Sequence, residues 1–267
     1  MKKRSCFLML CLLLCSVSCA MAGTMELHFF DAGKADACLI TTPESVVLID
    51  TGKNKMGKEI VEYLDENDID QIDAMFITHF DKDHVGGADK VLESGKVKQV
   101  FEPAYHSESK QFVQYKEALE ASQAPVATLA ENMTFELDGA VYKIDVANQS
   151  YYGEDEENDF SLVISIQYGE NTFLFAGDAE NPRLSELLAE GIGEHDVLKV
   201  PHHGKSEKLS ASFFAAIRPQ YSIITSDEEE PEEAGVVHAL QQYGTVYLTR
   251  EGSVTIVSDG SSIAVSQ

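Results

Sequence analysis

The sequence predicts an α/β fold of four layers, an αββα sandwich (α+β in its element order), on three observations. Short apolar runs with a two-residue period are interleaved with stretches of helical period, and strand-type runs open the second half as they open the first. No stretch rich in Pro, Gly or Ser divides the 267 residues. With 44% hydrophobic residues, the chain can bury a sizeable core between two sheets.

The chain begins with the charged start Met1-Lys2-Lys3-Arg4, an apolar centre at 6–14 and the small-residue end Ala20-Met21-Ala22. This order predicts a secretory signal peptide over 1–22, too short for a comfortable membrane span, followed by one domain over 23–267 that acts outside the cytoplasm. A lipoprotein anchored at Cys19 is the alternative, weakened because Ser16-Val17-Ser18 lacks the usual leucine. Four of the five cysteines (Cys6, Cys11, Cys15, Cys19) fall in this leader, so no disulfide is expected within the mature chain, and Cys38 reads as a small buried hydrophobe. No transmembrane segment is expected in the mature chain.

Residues 25–30, 37–42 and 45–50 read as three strands, with Pro43-Glu44 as a hairpin turn between the last two. Over 57–67, Ile60, Val61 and Leu64 face away from Glu59, Glu62 and Glu66, which predicts an amphipathic surface helix. A buried strand over 73–76, a helix opening at Ala88, a strand over 97–101 and a helix over 109–122 follow; Phe112, Tyr115 and Leu119 stripe that last helix. The second half opens with strands over 126–129, 133–137 and 141–146. After the acidic stretch 153–159 come strands over 161–168, 171–176 and 196–200, a helix over 209–217 and a strand over 221–225. A helix around His238 and two closing strands, 245–249 and 253–257, complete the prediction.

The chemistry concentrates in Ile77-Thr78-His79-Phe80-Asp81-Lys82-Asp83-His84-Val85-Gly86-Gly87, between a buried strand and a helix start. A turn lets His79, Asp81, Asp83 and His84 converge, whereas a continuous strand would throw position 84 to the opposite face. Imidazole and carboxylate together suit zinc, with manganese as the alternative where carboxylates are numerous. Four ligand-type residues within six exceed what one closed structural site needs, so two neighbouring divalent metal ions are expected.

This stretch resembles the metallo-β-lactamase-fold hydrolases, whose hallmark is His-x-His-x-Asp-His after a core strand, with Asp81 standing here for the second histidine. The variant is similar to the branch that holds the hydrolase domain of the DNA-uptake protein ComEC and the secreted phosphorylcholine esterases. The resemblance implies the αββα metallo-β-lactamase sandwich over nearly the whole mature chain. It matches Phe30-Asp31-Ala32-Gly33-Lys34-Ala35-Asp36-Ala37 and Leu48-Ile49-Asp50-Thr51-Gly52 to the family's opening strands. Asp36 and Asp50 then either orient ligand histidines or cap turn amides. Asn158 occupies the place where most relatives have a metal histidine.

The resemblance further implies Asp178, in Gly177-Asp178, as the carboxylate bridging both metals, against a plain helix N-cap ahead of Pro182. In Leu198-Lys199-Val200-Pro201-His202-His203-Gly204 it implies that one or both histidines complete the metal shell, the other meeting the scissile group or donating a proton. Matching Pro231 to the family's His-Pro puts Glu230 where a histidine is expected, as an oxygen ligand or a missing one. The implied metal set is thus His79, Asp81, Asp83, His84, Asp178, His202, His203 and Glu230, with Asp83, His202 and His203 as candidate catalytic groups.

The formal net charge of −25 at pH 7, with no basic stripe, argues against strong non-specific nucleic-acid binding by phosphate neutralisation. The expectation is a secreted dinuclear metal-dependent hydrolase of phosphoesters, of phosphodiester, nucleic-acid or phosphorylcholine type, with Tyr151 or Tyr152 as an aromatic contact for a cationic group. The competing expectation is a non-catalytic surface protein that keeps the fold with a degenerate metal site, motivated by Glu230.

Overall fold

The computed structural model describes residues 23–153 and 157–267; the expected signal peptide lies outside the described residues. In chain order the first half holds β1 (Met25–Phe29), β2 (Cys38–Thr41), β3 (Val46–Ile49), α1 (Met56–Glu66), β4 (Ala74–Phe76), α2 (Ala88–Glu93), β5 (Val100–Pro103), α3 (Lys110–Ser122) and β6 (Val126–Leu129). The second holds β7 (Met133–Leu137), β8 (Ala140–Asp145), β9 (Val163–Tyr168), β10 (Asn171–Phe175), α4 (Asn181–Glu190), β11 (Val197–Lys199), α5 (Ser210–Ile217), β12 (Tyr221–Ile224), α6 (Ala234–Leu240), β13 (Thr245–Leu248), β14 (Val254–Ser258) and β15 (Ile263–Ser266).

The strands form two sheets, ordered β15-β14-β1-β2-β3-β4-β5-β6 and β13-β12-β11-β10-β9-β8-β7. Alternation along the strands sends Cys38, Ile40, Val47, Ile49, Ala74 and Phe76 between the sheets, where they meet Tyr142, Ile164, Ile166, Phe173 and Phe175. The opposite faces carry Leu39, Leu48 and Met75 against Ile60, Leu64, Val91 and Tyr115 of the first three helices. On the second sheet, Leu174, Leu198 and Ile224 pack against Leu184, Leu187, Phe213 and Leu240 of the last three. These three cores make the αββα sandwich that the alternating periods predict. Two elements lie outside the sequence prediction: helix α4, and strand β15, which pairs antiparallel with β14 while β14 pairs with β1, so that β15 extends the first sheet.

The pairs β3–β4, β4–β5 and β5–β6 are parallel, as are β10–β11, β11–β12 and β12–β13. The loops leaving β3, β4, β10, β11 and β12 carry Asp50, the 77–87 stretch, Asp178, the histidine pair and Thr225 respectively. Loops at the carboxyl ends of parallel strands are where ligands bind in α/β sheets. The two sheets meet there, since Leu162 donates its amide to the Thr78 carbonyl at 2.9 Å. The Gly86-Gly87 pair permits this crowding: a Cβ on Gly86 would lie 2.1 Å from the Lys82 carbonyl oxygen, and one on Gly87 2.4 Å from that of Thr51.

Candidate metal centre

The turn after β4 closes tightly, with the amides of His84 and Val85 both donating to the Asp81 carbonyl at 3.0 and 2.9 Å. His79 and His84 are thereby brought together with ring centroids 4.0 Å apart, both fully buried. Oxygen partners behind each ring fix its orientation. His84 Nδ1 lies 2.8 Å from Asp50 Oδ2. Thr78 donates its hydroxyl to that same Asp50 oxygen at 2.7 Å, which leaves Thr78 Oγ1 to accept from His79 Nδ1 at 3.1 Å. Thr225 likewise donates to Asp36 Oδ1 at 2.6 Å and accepts from His203 Nδ1 at 2.9 Å. These hydrogen bonds place the N–H of all three imidazoles on Nδ1 and turn every Nε2 into the same space.

Asp178 meets them there. Its Oδ1 is 3.2 Å from His84 Nε2 and its Oδ2 is 3.1 Å from His203 Nε2, so one carboxylate offers an oxygen to each side. Helix α4 begins at Asn181 with Glu180 in the capping position, so Asp178 is not its cap. Asp81 Oδ2 stands 3.9 Å from His79 Nε2 and Asp83 Oδ2 stands 3.7 Å from His203 Nε2. The atoms His79 Nε2, His84 Nε2, His203 Nε2 and Asp178 Oδ1 are buried without a hydrogen-bond partner. Buried polar atoms are normally satisfied, and donor atoms of this kind converging within metal-ligand spacing fit divalent cations.

The electrostatics agree. Burial alone would lower His84, but Asp178, Asp36 and Asp50 hold its pKa well above the ordinary imidazole value, so the position favours a positive charge. Burial lowers His79 well below its ordinary value. Burial also pushes the Asp81 carboxyl up to about 6, with Asp83, Glu157 and Asp178 adding to the shift and His84 opposing it.

Three residues that sequence reasoning passed over join this centre. Lys199, at the end of β11 and 2% exposed, pairs with Asp36 Oδ2 and lies 3.6 Å from Asp178 Oδ1. Glu180 Oε1 is 3.1 Å from His202 Nδ1 and accepts from Asn158 Nδ2 at 3.0 Å. With Glu207, Glu180 and His202 form a further group of closely spaced donor atoms. The signal for Glu180 was its place two residues after Asp178. His202 and His203 are consecutive non-glycine residues in the left-handed region, φ 49° and 52°. Such backbone costs on the order of 1–3 kcal/mol per residue and persists where the surroundings dictate it. Here it aims His203 into the donor cluster and leaves His202 at the rim beside Glu180.

The centre opens into a cleft of about 370 Å³ lined by Lys34, Lys82, Asp81, Asp83, His202 and His203 among others. Glu230 stands apart from the donor atoms: its side chain is 61% exposed and its carboxylate is 3.7 Å from Lys34 Nζ. A larger cleft, about 650 Å³, adjoins the first at Glu157, which lines both. Its walls include Tyr105, Tyr151, Phe160, Asn148 and Gln149, and among the described residues no Lys or Arg. Tyr105, in the wall of this larger cleft, is held to the turn after β4, its hydroxyl accepting from the Phe80 amide at 2.6 Å.

Comparison with known proteins matches residues 31–225 to the metallo-β-lactamase superfamily. Recombination protein 2 of Haemophilus influenzae is 26% identical over 213 residues, covering 78% of this chain and 25% of that protein. ComE operon protein 3 of Bacillus subtilis is 25% identical over 256 residues, covering 86% of this chain and 32% of that protein. The chain thus spans about a quarter to a third of the length of these relatives. Among solved structures, the metallo-β-lactamase fold protein YhfI of Bacillus subtilis aligns with a TM-score of 0.57 at 9% identity over 85% of this chain and 96% of that one. Igni18, a metallo hydrolase of Ignicoccus hospitalis, aligns with a TM-score of 0.56 at 13% identity over 91% and 99%. At these identities the structures bear on the fold.

Proposed function

The chain belongs to the metallo-β-lactamase superfamily, and we propose that it is a dinuclear metal-dependent hydrolase of small anionic phosphoesters that works outside the cytoplasm. The observation that carries this reading is the set of buried, unpartnered Nε2 atoms of His79, His84 and His203 converging on Asp178 at the floor of an open cleft. In the proposed arrangement His79 and Asp81 serve one side, Asp83 and His203 the other, and His84 and Asp178 stand between. When bound, two divalent cations, zinc or alternatively manganese, supply a hydroxide nucleophile near neutral pH and positive charge for the ester oxygens.

The chain's own residues do the rest. Asp178 keeps the two sides at a fixed separation, and Asp50, Thr78 and Thr225 hold the imidazoles by their Nδ1 atoms. Lys34 and Lys82, at the mouth of the cleft, attract the anionic group. His202, lining the cleft beside Glu180, is placed to hand a proton to the departing alcohol. The adjoining cleft suits the alcohol half of the ester: its aromatic and amide walls accept a flat or apolar group, and the absence of Lys and Arg among its described residues disfavours a second phosphate. A short ester therefore fits better than a long polyanion, in keeping with the net charge of −25. The leader-like residues 1–22 support the extracytoplasmic reading.

The test is metal stoichiometry combined with turnover. Two equivalents of zinc or manganese per chain, with hydrolysis of a small chromogenic phosphodiester that chelation abolishes and either metal restores, are expected. One equivalent or none, without turnover, would favour a non-catalytic binding protein of the same fold.

A further inference from the structure

Lys199 is the one lysine or arginine enclosed within the donor cluster among the described residues, and the proposed mechanism gives it no task. It sits at the last position of β11, where its stem is packed in the sandwich and its ammonium emerges beneath the cluster. The ammonium pairs with Asp36 Oδ2, donates to the Gly177 carbonyl at 3.3 Å, and stands 3.6 Å from Asp178 Oδ1, where the opposite charges attract without a hydrogen bond. Asp36 in turn accepts from Thr225 and lies 3.4 Å from His203 Nδ1 and 3.7 Å from His84 Nδ1. One buried charge is therefore linked to the bridging carboxylate directly and to two imidazoles through Asp36.

Resting on the metal-centre reading above, we propose that Lys199 is a resident counter-cation and positioning residue, which holds Asp36 and Asp178 in the ligand array by supplying charge that bound metals would otherwise supply alone. Asp36, Asp50 and Asp178 are all buried within this cluster, with Asp81 and Asp83 beside it. Buried like charges repel strongly unless a cation lies among them. The ammonium relieves that repulsion permanently, so the array does not depend on metal to form. It also repels an incoming metal ion, which shares Asp178 with it. Its charge therefore stabilises the metal-free protein more than the metal-loaded one and holds metal affinity down.

This asymmetry distinguishes a counter-cation from a lysine that merely fills space, whose removal would cost both forms equally. The experiment replaces Lys199 by methionine (Lys199→Met), similar in length but uncharged, and follows thermal unfolding in chelator and in saturating zinc beside the wild type. The midpoint is expected to fall further in chelator than in zinc, and zinc competition against a chromophoric chelator should show tighter binding by the folded variant, on the order of 5- to 150-fold. Equal falls, a larger fall in zinc, or weaker zinc binding would overturn the proposal. If the variant does not fold in chelator, Lys199→Met/Asp36→Asn, which removes both charges, is expected to recover folding; failure of this pair to recover also overturns it. The wild-type control separates the two readings: if zinc neither binds nor shifts the wild-type midpoint, the metal-centre reading fails, while the Lys199–Asp36 coupling measured in chelator still decides the charge role.

Discussion

Asp50 and His84 are joined at 2.8 Å, Oδ2 to Nδ1, and the same carboxylate accepts both the amide and the hydroxyl of Thr78. Asp50 thus orders the start of the metal turn and its last imidazole at once. Replacing it by asparagine keeps the shape but offers an amide where His84 must donate, so the ring is no longer held with Nε2 toward Asp178. Metal affinity is expected to fall roughly 10- to 100-fold, as for other groups behind metal-bound histidines. Competition with a chromophoric chelator measures it, and unchanged affinity would show that the pair is not coupled to metal binding.

Asp178 presents one oxygen to His84 and the other to His203. Asp178→Asn removes the charge that offsets repulsion between two cations, so at least one metal equivalent and nearly all turnover should be lost while the fold stays intact. Elemental analysis after dialysis, with circular dichroism as the control for folding, decides this. Full occupancy with normal turnover would end the dinuclear assignment.

The Asp81 carboxyl gives a pH signature in protein stripped of metal. Its folded value of about 6 lies above the ordinary 3.8, so the folded state holds the proton more tightly than the unfolded state does. The resulting stability is complete below the unfolded value and is lost as pH rises through about 6. Asp36 and Asp178, both depressed, act in the opposite sense at lower pH, which makes the difference between variant and wild type the useful quantity. Chemical denaturation of Asp81→Asn across this window should show the wild type losing stability with rising pH relative to the variant; parallel curves would refute it.

Glu230 pairs with Lys34 on an exposed loop instead of joining the donor atoms. Glu230→Ala and Glu230→His should therefore bind as many metal equivalents as the wild type after identical dialysis. Loss of an equivalent in the alanine variant would restore Glu230 as a ligand.

What was legible in the sequence was local. His79, Asp81, Asp83 and His84 lie within one turn, so their convergence follows from the chain's own geometry, and the periods of two and 3.6 residues are the direct imprint of the sandwich. The unread part depends on distant partners. Asp36 and Thr225 are hydrogen-bonded across 189 positions, and nothing in either segment alone announces the other. Lys199 resembles any charged residue at a strand end until the fold buries it against Asp36. Glu230 was assigned through a single proline, without a periodicity to anchor it. The four residues of β15 carry too weak an alternation to stand out before β14 supplies a partner.

The return of β14 to pair with β1, Met25 opposite Ser258, has a consequence in time. Strand β1 waits for β14 before its sheet is complete, and the donor set waits as well, because His79 and His84 precede Asp178 and His203 by 94 (178 − 84) to 124 (203 − 79) positions. Contacts so distant in sequence form late and slowly. A chain that has emerged only as far as β9 holds the 77–87 half of the centre without Asp178 and His203, so capture of metal by the complete set is reserved for a chain whose two sheets have both formed.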